Sequence, residues 1–208
     1  MNHADPLKKE VALKKNLFVL AAFFSLAAFV MLFFDGHIWI LVKRLVPEPP
    51  NRTLLFISNR GLYIFYLIFA GLLVHALVQK REDLKNLCIA WVKAEVIFGF
   101  AAVRVMKIIF GRARPPVGFD FSFFSLHDRH NSFPSGHAAD AFVSGVFLFY
   151  LLRDSKYRFA PLLYALLMAL LRVLVYEHHP SDVTMGMAVG IWGASLMLFR
   201  ERPERPRA

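Results

Sequence analysis

The feature that most constrains this chain is a series of long apolar runs separated by short charged segments. The first run, residues 17–34, is interrupted only by Ser25 and is long enough to cross the core of a bilayer. Asp35-Gly36-His37 follows it rather than a signal-peptide cleavage pattern, which predicts a retained helix. Because lipid admits only helices and closed barrels, we expect an all-α integral membrane bundle. Six transmembrane helices are predicted, at residues 17–34, 58–78, 87–110, 136–152, 159–176 and 183–199.

Composition agrees with a membrane protein and limits its partners. Hydrophobic residues make up 57% of the chain, and the formal net charge is +10. The positive residues stand at the ends of apolar runs rather than in one stripe between aromatic residues, which favours anionic lipid over nucleic acid. The single cysteine, Cys88, excludes an intramolecular disulfide and a cysteine-based metal site. One domain is predicted over residues 1–208, with an N-terminal segment at 1–16, a core at 58–199 and a basic tail at 200–208.

The distribution of lysine and arginine predicts how the bundle is oriented. Six helices place both termini on one side, and the segments on that side carry fourteen Lys or Arg residues. Cytoplasmic segments of membrane proteins are enriched in these residues. Both termini are therefore predicted in the cytoplasm, and the polar clusters described next are predicted at the outer face. The cytoplasmic segments in this count are residues 1–16, 80–86, 153–158 and 200–208.

The first polar cluster lies at the end of the third apolar run. This run contains four charged residues, Lys93, Glu95, Arg104 and Lys107. Because a lipid-facing helix would not tolerate four charges, the run is predicted to face protein or a wet cavity. Lys107 and Arg114 are seven residues apart, nearly two helical turns, which predicts a shared helix face. A lysine point charge and an arginine fork suit phosphate oxygens. The alternative is a pair of positive side chains that extend to the membrane surface.

The second cluster, residues 134–137, opens the fourth apolar run. Gly136 would let a ligand approach the backbone, and amides at a helix start favour an anion. Ser135 could cap that helix or donate its hydroxyl to a ligand. His137 would lie at the membrane edge, where a solvated histidine is the alternative to a catalytic one.

The third cluster combines Arg172, His178 and Asp182. His178 and Asp182 are four residues apart, which places them on one face of a helical turn. A carboxylate there would fix the imidazole tautomer and leave the other ring nitrogen as a nucleophile or base. The alternative is a structural His–Asp helix cap. Arg172, near the end of the fifth run, needs an anionic partner within the membrane.

The order of these motifs resembles the type 2 phosphatidic acid phosphatase family, which shares its phosphate site with vanadium haloperoxidases. The matching patterns are K-x6-RP at 107–115, PSGH at 134–137 and R-x5-H-x3-D at 172–182, and the resemblance covers about residues 58–199. It implies a phosphatase that needs no metal or other cofactor. One departure is Leu171, where the family commonly has serine, which puts one hydrogen bond to the phosphate in doubt.

The resemblance also implies roles for individual residues. His178 would attack phosphorus and form a phosphohistidine, with Asp182 orienting it. His137 would protonate the leaving oxygen and then activate water. The phosphate oxygens would be bound by Lys107, Arg114, Arg172 and the amides around Ser135 and Gly136.

Further residues are candidates for supporting groups around the site. Asp140, one helical turn after His137, is predicted to pair with Arg104 or another cation of the site. His130 could contact a substrate headgroup, although a solvated loop histidine is the alternative. The Phe-rich segment 119–124 could form a rim where lipid reaches the site, or simply pack within its loop.

Together these features predict a lipid phosphatase of the bacterial inner membrane whose substrate is a phosphorylated envelope lipid. Lipid A 1-phosphate is the first choice, because residues 127–133 resemble the lipid A 1-phosphatase subgroup and extra cations suit a polyanionic headgroup. Undecaprenyl pyrophosphate and phosphatidylglycerol phosphate are alternatives. A soluble haloperoxidase conflicts with six spans, and a non-catalytic lipid-binding or lipid-translocating protein is the alternative of a different class.

Overall fold

The computed structural model describes residues 6–46, 51–115, 117–127 and 130–200, with side chains from Glu10 onward. Beyond Arg200, the predicted basic tail lies outside the described residues. Within these ranges the chain forms nine α-helices and one π-helix, Glu95–Ala102, between α5 and α6. The α-helices are α1 (Pro6–Leu32), α2 (Asp35–Leu45), α3 (Arg52–Arg60), α4 (Tyr63–Val78), α5 (Glu82–Ala94), α6 (Val103–Phe110), α7 (Gly136–Leu151), α8 (Ala160–Leu174) and α9 (Pro180–Arg200).

Several of these helices have the length and apolarity of membrane spans. Four stretches are long enough, namely Glu10–Leu32, Arg52–Val78, Glu82–Phe110 and Pro180–Arg200. Helices α7 and α8 are apolar but have only 16 and 15 residues, or about 23 Å of helix against a bilayer core of about 30 Å. The prediction of an all-α chain with several apolar helices is confirmed.

Helices α7 and α9 form the centre of the bundle. Helix α9 packs against α1 and α7, and α7 also packs against α8. The approach of α9 to α7 depends on glycine: a methyl group on Gly186 would lie 2.4 Å from the carbonyl oxygen of Ser135, and one on Gly190 would lie 2.3 Å from that of Ala139. Small residues at such positions let two helix backbones come close together.

One charge of the third predicted span, Glu95, is partly buried against protein, whereas Lys93 and Arg104 of the same span are exposed. The Glu95 carboxylate accepts hydrogen bonds from Ser144 Oγ on α7 at 2.8 Å and from Trp91 Nε1 at 3.1 Å. Glu95 also begins the π-helix, a geometry that is rare and often occurs at functional sites.

Helix α6 ends earlier than the sequence pattern predicted. Gly111 follows Phe110 with a φ of 51°, the left-handed conformation that commonly terminates helices and that glycine adopts without strain. Arg114 therefore lies in the following loop, and the prediction that Lys107 and Arg114 share a helix face is wrong. The same loop folds back on itself through an isolated bridge between Arg112 and Phe121.

The three polar clusters meet at one end of the bundle. Helix α6 ends there, α7 and α9 begin there, and α8 ends there. Backbone hydrogen bonds join the clusters directly: Ser132 N–H donates to the Arg112 carbonyl at 3.0 Å, and Ser135 N–H donates to the Asp182 carbonyl at 2.9 Å. Residues separated by about seventy positions are thereby fixed around one point.

Candidate active site

The start of α9 places a buried carboxylate beside a buried imidazole. Asp182 is the third residue of α9, and its Oδ2 accepts a hydrogen bond from the backbone N–H of His179, just before the helix, at 2.8 Å. This contact, in which a side chain accepts a hydrogen bond from a backbone N–H just before its helix, is a helix cap. Asp182 therefore has the capping role that was the alternative for this residue. His178 Nδ1 lies 3.7 Å from Asp182 Oδ2, beyond hydrogen-bond distance.

Ser132 fills the gap between these two groups. Its hydroxyl donates to Asp182 Oδ2 at 2.5 Å and lies 3.4 Å from His178 Nδ1. Because a serine hydroxyl has one proton and gives it to the carboxylate here, its oxygen can only accept from an Nδ1–H of His178. That tautomer leaves Nε2 of His178 with a free lone pair. Sequence reasoning assigned no role to Ser132.

Burial keeps the His178 imidazole neutral. Removal from water lowers its pKa from 6.5 to about 4, against the opposing influence of Asp182. A neutral imidazole with a free nitrogen is the form that can act as a nucleophile. The neighbouring His179 is also buried, but its Nε2 lies 3.2 and 3.1 Å from the carbonyl oxygens of Ala113 and Gly118, so it anchors the loop.

A fourth cation, absent from the sequence prediction, holds the carboxylate. Arg112 is 2% exposed, and its Nη1 donates to Asp182 Oδ1 and to Ser181 Oγ, both at 2.6 Å. Its Nη2 donates to Asp35 Oδ2 at 2.8 Å. The guanidinium fork thus connects the residue after the first apolar run to the start of α9.

Asp35 could have been recognised from the sequence. A carboxylate directly after a transmembrane run is costly unless it is paired, and Asp35 is 1% exposed. It accepts hydrogen bonds from the Ser181 backbone N–H at 3.0 Å and from the Ser181 hydroxyl. The sequence signal is a carboxylate that needs a cationic partner. That partner, Arg112, lies seventy-seven residues further along the chain.

The predicted phosphate-binding cations lie close to one another. Lys107 Nζ donates to the carbonyl oxygen of Asn131 at 2.8 Å, which holds the ammonium beside the second cluster. Its charge interacts with those of Arg114, Asp182 and Arg172. The lysine and both arginines therefore face a common volume, although they come from three different segments.

Arg172 is fixed from two sides. Its Nη1 donates to Ser58 Oγ and to Asn59 Oδ1, both at 2.8 Å, and its Nη2 lies 3.7 Å from Glu177 Oε2. The same Glu177 oxygen forms a close ion pair with Nη1 of Arg114. The anionic partner expected for Arg172 is therefore Glu177, a residue to which the sequence reasoning gave no role.

His137 lies among these groups. The charges of Arg172, His178, Lys107 and Arg114 all act on its imidazole. His137 is the second residue of α7, and the Ser135 hydroxyl caps this helix by accepting from the N–H of Ala138 at 3.4 Å. The two histidines and three cations singled out in the sequence therefore converge on one site.

The helix start meets the prediction only in part. The backbone N–H of Ser135, one of the amides assigned to phosphate, donates to the carbonyl oxygen of Asp182. Gly136, the first residue of α7, belongs to the first turn, where backbone N–H groups have no partner within the helix.

The supporting residues are placed differently from expectation. The Asp140 carboxylate accepts a hydrogen bond from the Tyr66 hydroxyl instead of pairing with Arg104, so that predicted pairing is wrong. Arg104 is exposed, and its charge acts on Lys107. The imidazole ring of His130 lies beside that of His127, with 5.8 Å between the ring centroids.

A cavity of about 750 Å³ opens beside His137. Its wall runs along α4, the π-helix and the start of α7, and it includes Asn59, which also binds Arg172. Exposed apolar side chains on the rim include Val96 and Phe100, 56% and 70% exposed. The candidate site thus has an adjoining space with an apolar border.

Comparison with known proteins agrees with this geometry. The family model described as PAP2 superfamily matches residues 61–202. Two curated relatives named lipid A 1-phosphatase, from Rhizobium johnstonii and Rhizobium etli, are each 33% identical over 136 residues and cover 61% of this chain. The matched stretch is 55% and 58% of those proteins, so the chain spans little more than half of their length.

A solved structure has the same fold. The crystal structure of Aquifex aeolicus LpxE superposes with a TM-score of 0.51 at 24% sequence identity, covering 76% of this chain and 93% of that one. The family match includes all three polar clusters and well over half of the sequence. The chain belongs to the PAP2 superfamily.

Proposed function

We propose that this protein is an integral-membrane lipid phosphatase that removes phosphate from an envelope lipid through a phosphohistidine intermediate. The observation that carries the proposal is the position of His137, on which the charges of Lys107, Arg114, Arg172 and His178 all act. Three cations around two imidazoles suit a phosphoryl group, whose transfer relies mainly on positioning and on stabilisation of spread negative charge.

In the proposed first step, Nε2 of His178 attacks phosphorus while the bond from phosphorus to the lipid oxygen breaks. The leaving oxygen receives its proton from His137. In the second step His137 takes a proton from water, the water oxygen attacks phosphorus, and the bond to His178 breaks to release inorganic phosphate. The hydrogen bond from Nδ1 through Ser132 to Asp182 supports this assignment, because it leaves Nε2 as the nucleophilic atom.

The equatorial oxygens are assigned to Lys107, Arg114 and Arg172, with help from the amide of Gly136. These side chains supply the positive charge that a metal ion contributes in many other phosphatases. We therefore propose a metal-independent reaction, which predicts that a chelator such as EDTA leaves the rate unchanged.

We propose six membrane spans, with the site at the periplasmic face of the bacterial inner membrane. The shorter helices α7 and α8 count among the six because both are apolar and pack against each other within the bundle. All three polar clusters lie at one end of the bundle, while the charged turns at residues 79–81 and 152–158 lie at the other. Positive charge concentrated in those turns and in the N-terminal segment supports a cytoplasmic location for that end.

Lipid A 1-phosphate is the proposed substrate. Both curated relatives are named for that activity. The cavity beside His137, with its apolar rim, offers a path by which a lipid-linked phosphate reaches the site from the bilayer. Undecaprenyl pyrophosphate and phosphatidylglycerol phosphate remain the competing substrates.

Phosphate release by the purified protein in detergent tests this proposal. Lipid A, undecaprenyl pyrophosphate and phosphatidylglycerol phosphate are assayed in parallel, and we expect lipid A to give the highest kcat/KM. His178→Ala should abolish release, whereas His75→Ala, an exposed histidine of α4, should not change it. A single-turnover reaction should trap an acid-labile, base-stable phosphoprotein. Full activity of His178→Ala would overturn the nucleophile, and lipid transfer between leaflets without phosphate release would favour the non-catalytic alternative.

A further inference from the structure

A carboxylate occupies the space between two of the cations assigned to phosphate. Glu177 Oε2 contacts Nη1 of Arg114 in a close ion pair and lies 3.7 Å from Nη2 of Arg172. Asp35 and Asp182, two further acids at this end of the bundle, are bound by Arg112 instead. A carboxylate oxygen between two guanidinium groups has the charge and the contacts that a phosphoryl oxygen would have there.

Glu177 is freer to move than Arg172. Its side chain is 33% exposed, while that of Arg172 is 5% exposed and keeps two further hydrogen bonds, to Ser58 and Asn59. The backbone of Glu177 is fixed, because its N–H and that of His178 both donate to the Arg172 carbonyl at 3.1 Å. The glutamate can therefore leave the site by side-chain rotation, without moving the arginine or the nucleophile.

We propose that Glu177 is an internal competitor of phosphate. In the empty site its carboxylate neutralises Arg114 and Arg172, and the incoming phosphoryl group displaces it from both. That the displacing group is a phosphoryl group rests on the proposed function. This competition makes Glu177 a determinant of phosphate affinity: the carboxylate weakens the binding of substrate and product alike, and it speeds the departure of inorganic phosphate by returning to the arginines.

The opposite role would have the opposite signature. If Glu177 served only to position the two arginines, its removal would leave them disordered and would weaken phosphate binding. If it competes, its removal takes one negative charge away from the two guanidinium groups and strengthens binding. The sign of the change in affinity therefore separates the two roles.

The test is direct binding of inorganic phosphate to the purified full-length protein in detergent, measured by isothermal titration calorimetry. Glu177→Gln keeps the side-chain shape and removes the charge. We expect its dissociation constant to be about fivefold lower than that of the wild type, which corresponds to an ion pair of about 1 kcal/mol. Glu177→Ala should lower the dissociation constant as well. It is the second variant because a glutamine at position 177 could still hydrogen-bond to an arginine, whereas alanine cannot.

Glu82→Gln is the matched control, because Glu82 pairs with Lys85 on the exposed start of α5. It should leave phosphate affinity unchanged. Weaker or unchanged binding in both Glu177 variants overturns the proposal. Phosphate release from lipid A is measured on the same wild-type preparation: binding that tightens in the variants, without any hydrolysis by the wild type, would sink the proposed function and leave the competitor role standing.

Discussion

At the scale of single residues, the hydroxyl of Ser132 decides which nitrogen of His178 is free. The hydroxyl proton goes to Asp182, so the oxygen accepts from Nδ1–H. Replacing Ser132 with alanine removes that acceptor and leaves the imidazole free to take the other tautomer or to turn. We expect kcat to fall about tenfold to a hundredfold with little change in KM, because the loss concerns the nucleophile rather than the cations.

The matched control for Ser132→Ala is Ser195→Ala. Ser195 is also fully buried, but its hydroxyl donates to the Ile191 carbonyl within α9. The kcat and KM for phosphate release from lipid A are measured for both variants and compared. Equal kcat values for Ser132→Ala and the wild type would remove Ser132 from the mechanism.

The pH dependence of stability gives a second prediction at this scale. The pKa of His178 is about 4 in the folded protein and 6.5 in the unfolded chain, so the unfolded state binds the proton first as pH falls. The stability that depends on neutral His178 is present above pH 6.5 and is lost below it, by about 2 kcal/mol between pH 7.5 and pH 5.

Thermal unfolding in detergent at these two pH values checks this expectation. Wild type should lose more stability on acidification than His178→Asn, which cannot take up the proton. Parallel losses in the two proteins would show that His178 is not held neutral by the fold.

The residues of the site differ in how readily the sequence reveals them. Those to which we assign the chemistry, such as His178 and Lys107, stand out because a charged or polar side chain near an apolar run must be paired or functional. Those that position the chemistry, Ser132 and Arg112, are ordinary in their local context. Their roles depend on partners fifty to seventy-seven residues away, and only the folded chain brings these together.

At the scale of elements, the contact between α7 and α9 holds the two histidines in register. A side chain at Gly186 would collide with the Ser135 carbonyl at 2.4 Å and with the Ala138 side chain at 2.9 Å. Gly186→Ala should therefore push the start of α7, with His137, away from α9. We expect a destabilisation of about 1–3 kcal/mol and a clear loss of kcat.

Gly71→Ala in α4 is the control for this effect, because no atom lies within 4 Å of the position that its methyl group would take. Melting temperature and phosphatase rate are compared for the two variants. If Gly186→Ala melts and turns over like Gly71→Ala, close packing of α7 on α9 does not determine the site geometry.

Element boundaries could be predicted only where the sequence contains an explicit signal. Apolar runs gave the helices to within a few residues at most ends, because burial in lipid requires them. The end of α6 differs from the prediction because the seven-residue spacing of Lys107 and Arg114 favours a helix through both residues, whereas Gly111 between them terminates it. The π-helix has no recognised sequence signal, and its first residue, Glu95, accepts a hydrogen bond from Ser144, which lies far along the chain.

At the scale of the whole molecule, the bundle has two chemically different ends. One end gathers the loops that hold the candidate site, and the other has the charged turns between α4 and α5 and between α7 and α8. Charge counting predicts which end faces the cytoplasm, because it needs only the positions of Lys and Arg between the apolar runs. The convergence of three segments on one site needed the topology of α6 to α9, which composition does not contain.

Two loop serines allow this orientation to be tested with matched substitutions. Ser125 lies in the loop at the site end and Ser155 in the charged turn at the opposite end, both partly buried, and each accepts a hydrogen bond from the backbone N–H two residues later. In a Cys88→Ser background, Ser125→Cys and Ser155→Cys each provide one reactive thiol. A membrane-impermeant maleimide added to intact spheroplasts should label Ser125→Cys and should label Ser155→Cys only after permeabilisation. The reverse pattern would place the site at the cytoplasmic face and would rule out a periplasmic phosphatase. The lipid substrate would then have to reach the site from the cytoplasmic leaflet.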